Sequence, residues 1–176
     1  MKSIVPPLWA LTGVLLCLAP AAIGQRTKFT ADLSGKNEVP PVNTTAAGKA
    51  TFQLSKDGSS LSYTLSVSNI SDVIMAHIHV GEPGTRGDHV APLYPVGMTG
   101  SMDDMSGNSG GKPDEMTSPK KVSGVIASGT IHASDLVGPL QGKKIADLVA
   151  EIRADKAYVN VHTKAHSDGE IRGPIK

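Results

Sequence analysis

The chain has 176 residues, with 17 Lys and Arg against 16 Asp and Glu, a formal charge of +1, one Cys and 3% aromatic residues. That balance excludes the basic footprint of a nucleic-acid partner, and so few rings exclude a stacking platform for bases or sugars. The length fits one domain that buries a core without covalent staples.

Lys2, the apolar run Leu8–Leu18 and the small-residue ending Ala22-Ile23-Gly24 have the layout of a secretory signal peptide. Residues 1–24 are therefore expected to be cleaved, leaving one exported domain over 25–176, secreted, periplasmic or held at the cell surface. The apolar run is too short to span a bilayer and no second one follows, so no membrane span is expected. Cys17 could carry a lipid only with a small residue before it, and Leu16 stands there instead. Without Cys17 the exported domain has no thiol ligand, so a metal site must use His, Met or oxygen. Two glycosylation sequons, Asn43-Thr44-Thr45 and Asn69-Ile70-Ser71, are compatible with export.

Strand patterns then follow along the chain. "KFTADLSG" (28–35) reads as the first strand, and "NEVPPV" after it holds Pro40 and Pro41, whose fixed φ suits an extended segment protecting a sheet edge better than one binding a partner. "GKATFQLS" (48–55) and "LSYTLSVSN" (61–69) form a hairpin through Asp57-Gly58, the second with strict alternation of Leu61, Tyr63, Leu65 and Val67 against Ser and Thr. "VIMAHIHVG" (73–81) and "VIASGTIHA" (125–133) are further strands, separated by a segment over 97–121 rich in Gly, Ser, Pro and charge. Lacking apolar periodicity, that segment reads as a long flexible loop. Ile145, Leu148, Val149 and Ile152 recur at helical spacing within 143–155 and predict one short amphipathic helix. "AYVNVHT" (157–163) and "GEIRGPI" (169–175) close the chain as a hairpin through Asp168-Gly169. Seven short strands predict an all-β fold, an antiparallel β-sandwich or barrel of Greek-key-like, superoxide-dismutase-like outline.

Four ordered motifs, "FTADLSGKNEVPPV" (29–42), "AHIHVGEPGTRG" (76–87), the run from Gly129 to Thr163 and "DGEIRGPI" (168–175), resemble the CHRD domain family, named for the repeated domain of chordin and found also in single-domain secreted microbial proteins. The resemblance implies an all-β extracellular module and no particular reaction. The insertion over 97–121 departs from the family's compact pattern.

Histidine carries the one candidate for site chemistry. Side chains i and i+2 of a strand share a face, so His77 and His79 project together while Ala76, Ile78 and Val80 face the core. The same alternation sends Ala157, Val159 and Val161 inward and His162 outward beside Asn160 and Tyr158. If those two strands are neighbours, three imidazoles converge as a set suited to zinc or copper, with one position open. His89, after the Gly-rich turn "GEPGTRGD", is a candidate fourth ligand. The His-x-His step is similar to that of copper/zinc superoxide dismutase, whose sandwich also carries copper on its outer face beneath long loops. Its second metal cluster has no counterpart here, so dismutation is not expected. His132 and His166 read as surface or loop residues, and the bland alternative for all of them is hydrogen bonding on a wet sheet face. Met98, Met102, Met105 and Met116 in the 97–121 loop, with Met75 beside the His pair, are soft donors that favour cuprous copper or are incidental.

No nucleophile elbow, phosphate loop or arguable pair of carboxylates is present, so no catalytic residue is assigned. The leading expectation is a non-enzymatic secreted binding module that holds copper or zinc, or contacts an extracellular protein partner, through outer-face histidines. A copper-dependent redox enzyme or copper chaperone, and a structural cell-surface or matrix protein, are the alternatives.

Overall fold

The structure, a computed structural model, describes residues 26–95 and 120–176. The expected leader and the four loop methionines lie outside these residues. Eight strands form one sheet: β1 (Lys28–Ser34), β2 (Ala47–Leu54), β3 (Ser60–Ser71), β4 (Val73–Val80), β5 (Asp88–Tyr94), β6 (Lys121–His132), β7 (Ala157–Thr163) and β8 (Ile171–Pro174). Their order is β5-β4-β7-β8-β1-β2-β3-β6, with every paired neighbour antiparallel. The end strands β5 and β6 lie against one another, which nearly closes the sheet into a barrel. The β7-β4-β5-β6 sequence around it is a Greek key, with β7 returning beside β4.

Alternation builds the core: Phe29, Leu61, Leu65, Ile78, Val159 and Ile171 are all buried from inward positions of their strands. The predicted helix is α1 (Ile145–Arg153), which buries Ile145, Leu148, Val149 and Ile152 on one side. It starts where the Lys144 backbone N–H donates to the Asp147 carboxylate at 2.8 Å. It packs on β7, within the long connection from β6 that steers β7 back to β4. Both sequons sit on exposed asparagines, Asn69 in a left-handed conformation at φ 53°.

Two expectations need correction. β5, "DHVAPLY", was absent from the predicted strands because Val90 and Ala91 are both buried and Pro92 interrupts it. Register shifts against β4 accommodate that pattern, and proline is tolerated at the end of the sheet order, where one side has no ladder to serve. β6 begins at Lys121, inside the expected loop, where it pairs with Ser71. Bulges opposite β3 and Gly124 at φ 109° break its alternation there. After β1, Glu38, Val39, Pro40 and Val42 line a cleft of about 280 Å³ against residues 165–169 of the β7–β8 connection.

Closure of the barrel has a polar fastening as well as an apolar one. The Tyr63 hydroxyl on β3 donates to the Leu93 carbonyl on β5 at 2.7 Å, in a buried position. Tyr63→Phe is expected to lower stability by about 1 kcal/mol or somewhat more, because Leu93 loses its buried donor. Urea unfolding of the two proteins at one pH checks this.

Candidate metal centre

β4 and β7 are hydrogen-bonded neighbours, with Met75 opposite His162, His77 opposite Asn160 and His79 opposite Tyr158. The adjacency that the sequence left open is therefore present. One ligand-capable nitrogen from each of His77, His79 and His162 lies within 4.8 Å of the others. Tetrahedral ligands on bonds of about 2.1 Å stand about 3.4 Å apart, so an ion would draw the nitrogens together by at most about 1.4 Å. Small side-chain rotations reach that far.

These rings face away from the core, yet the face is not wet: His77 is 7% and His162 6% exposed. The turn 81–87 and the β7–β8 connection fold over it. His79 Nδ1 lies 2.9 Å from the Gly87 carbonyl oxygen, and His162 Nδ1 lies 2.8 Å from that of Ser167. A carbonyl can only accept, so each Nδ1 carries the proton and each Nε2 keeps a free lone pair. Those two Nε2 atoms and His77 Nδ1 are buried with no hydrogen-bond partner. Each of the three rings thus presents one unpartnered buried nitrogen.

Burial keeps the rings neutral. It is the largest cause of holding His77 down at about 3, followed by the neighbouring His162, His79 and His89. Burial likewise lowers His79 to about 4, against the pull of the Gly87 carbonyl, with His162, His89 and Arg172 adding to the depression. His162 is also lowered by burial, partly offset by the Ser167 carbonyl and Asp168.

Residues 29–175 match the CHRD domain model. The chain belongs to the CHRD domain family. Comparison with curated proteins and with solved structures returned no match. Within this CHRD domain the candidate fourth ligand, His89, stands on β5 opposite His79, its ring centre 5.2 Å from that of His77 and 6.3 Å from that of His79. Half-buried, it flanks the three converging nitrogens without joining their group. His132 is exposed at the end of β6 beside Asp135, and His166 lies in the β7–β8 connection; neither joins the cluster.

Around the cluster of this CHRD domain stand Tyr158 and Asn160, which the alternation had already placed outward beside His162, and Arg172 and Glu38, which went unremarked at the level of sequence. Tyr158 stacks on His79 with ring centres 5.0 Å apart and planes 9° from parallel, and its oxygen accepts the Gly87 N–H at 2.9 Å. The Arg172 guanidinium lies 3.5 Å from the centre of the Tyr158 ring. Asn160 Oδ1 and Glu38 Oε1 are buried without partners, and both lie within 2.8 Å of where a Cβ on Gly169 would be. Burial pushes the Glu38 carboxyl up to about 7, against the pull of Arg172, the Val39 backbone and Arg86. The alternation that placed His162 outward also places Arg172 outward, so the signal was available. Glu38 gave none, because its burial depends on a loop.

Gly87 ties this arrangement together through its carbonyl to His79 and its N–H to Tyr158. A Cβ there would collide with the Val80 carbonyl and the Gly81 backbone nitrogen, neither of which can swing aside. Gly87→Ala is expected to displace the turn, free the His79 ring and weaken metal binding by roughly 10–100-fold, the usual effect of losing an outer hydrogen bond to a ligand. Metal titration against a competing chelator measures it.

Proposed function

We propose that this CHRD domain is an exported metal-binding module in which His77, His79 and His162 hold one copper or zinc ion, with His89 at the margin of the site. The observation that supports it above all others is the unpartnered, buried nitrogen on each ring. Orphaned buried polar atoms cost about 1–3 kcal/mol each, and a shared cation would relieve all three together. The Nδ1 contacts to Gly87 and Ser167 are the outer-sphere hydrogen bonds that orient metal-binding imidazoles. Three neutral ligands leave a fourth position open, which a water, a small exogenous ligand or His89 could take. Export is supported by the leader pattern of residues 1–24.

Dialysis of the domain against cupric or zinc ion, followed by metal analysis, tests the reading. One ion retained per domain is expected, with almost no proton release at pH 7 because the three rings are already neutral. A domain that emerges metal-free from both solutions, and from cuprous ion supplied anaerobically, would overturn it.

A further inference from the structure

The site's electrostatics carry the assignment further, and this step rests on the metal-site reading above. We propose that the centre selects by valence, taking the monovalent cuprous ion in preference to cupric or zinc ions. The first reason is the donor set: the converging group consists of three imidazoles and contains no carboxylate, so nothing in it cancels the ion's charge. Transferring an ion out of water into such a buried pocket costs free energy that rises with the square of its charge, so a divalent ion meets a roughly fourfold larger penalty than a monovalent one.

The second reason is Arg172. Its guanidinium is 6% exposed and lies on the Tyr158 ring, which in turn stacks on His79, so a fixed cation is held one ring away from a ligand. Among the described residues no carboxylate oxygen stands within salt-bridge distance of it, and its Nη2 donates instead to the Thr85 carbonyl. None of the nearby acids pairs with it. Glu38 is partly neutral near pH 7, Asp168 is exposed and paired with Arg86 at 3.3 Å, and Glu170 turns its oxygens to the Thr44 and Thr163 hydroxyls. A buried positive charge repels a divalent ion twice as strongly as a monovalent one at the same place. Three-coordinate nitrogen ligation needs no further ligand to satisfy a cuprous ion, which tolerates low coordination.

The test uses the domain under anaerobic conditions, with cuprous ion supplied from a cuprous-specific chelator, set against cupric and zinc ions. Cuprous ion is expected to displace zinc, and the reduction potential of the bound copper is expected to lie above that of the free couple. Arg172→Gln should move the cuprous-to-cupric affinity ratio about tenfold toward the divalent ion, a fall of about 59 mV in potential. Arg172→Lys keeps the charge but not the flat stack on Tyr158, and should retain the original potential. Tighter binding of zinc or cupric ion in the unaltered domain overturns the proposal, and so does an unchanged potential in Arg172→Gln, or an equal fall in both variants. Should Arg172→Gln not fold, the competition in the unaltered domain still decides. A domain that binds none of the three ions overturns the metal site itself, whereas one that binds them without monovalent preference overturns only the selectivity.

Discussion

The His77→Ala, His79→Ala double variant is expected to retain no metal under conditions where the unaltered domain holds one ion. Two of three converging nitrogens are gone, and the loss should exceed the roughly 10–100-fold that outer hydrogen bonds contribute. Thermal unfolding reads the same event independently. Metal that binds the folded state alone stabilises it by about 2.7 kcal/mol at a hundred times its dissociation constant. At roughly 2–4 °C per kcal/mol for a chain of this size, added metal should raise the melting temperature by about 5–10 °C in the unaltered domain and not at all in the variant. The fold itself should survive, because both rings lie on the face away from the core and neither supports Ile78 or Val159, which are fully buried on the other side. Circular dichroism of the variant confirms that point. A variant that keeps its ion, or an unaltered domain whose melting ignores metal, would leave the three rings with a purely structural role.

Much of this architecture is legible in period-two alternation. The strands β2, β4 and β7, and β3 as far as Val67, carry regular inward sets, so Leu61, Leu65, Ile78, Val159 and Val161 announce both the element and the buried face. Legibility fails where the backbone departs from the regular pleat. In β5, a shifted register buries Val90 and Ala91 in succession and removes the pattern altogether. In the first half of β6, bulges leave Val125 65% exposed although it belongs to a strand. At the site, alternation correctly sends His77, His79 and His162 to one face, but it cannot tell a wet face from a roofed one. That difference comes from Gly87, Ser167 and Gly169, in the turns that directly follow the two strands, whose path alternation does not describe, and it converts surface imidazoles into neutral, unpartnered ones. The same cause hid Glu38, whose carboxyl is buried only because the β7–β8 connection closes over it.

Two buried titrations of opposite sign should shape the acid stability of the metal-free domain. Above pH 6.5 His77 and His79 are neutral in both states and contribute no slope. Below it the unfolded chain takes up protons that the buried rings, lowered to about 3 and about 4, refuse, so the folded state loses ground as pH falls. At 1.36 kcal/mol per unit the two rings together forfeit about 4 kcal/mol by pH 5 and about 6 by pH 4. His162 acts in the same direction. Glu38 works the other way: its carboxyl is raised from 4.5 to about 7, so its neutral form favours the fold fully below pH 4.5 and that advantage disappears as pH rises through 7. Between pH 7 and 5 it returns about 2 kcal/mol, which offsets roughly half of what the two histidines lose. Below pH 4.5 it has nothing more to return, while His77 is still far from protonated. Stability of the metal-free domain, read from its urea unfolding, is therefore expected to fall by about 1–2 kcal/mol from pH 7 to 5 and by about 3 in all by pH 4, with His162 adding to the loss. Glu38→Gln removes the opposing slope, so its decline should begin at pH 6.5. The His77→Ala, His79→Ala variant should keep most of its stability to pH 4, and even gain between pH 7 and 5. An unaltered domain that grows more stable on approaching pH 4 would mean that the rings are reached by water and accept protons where they stand.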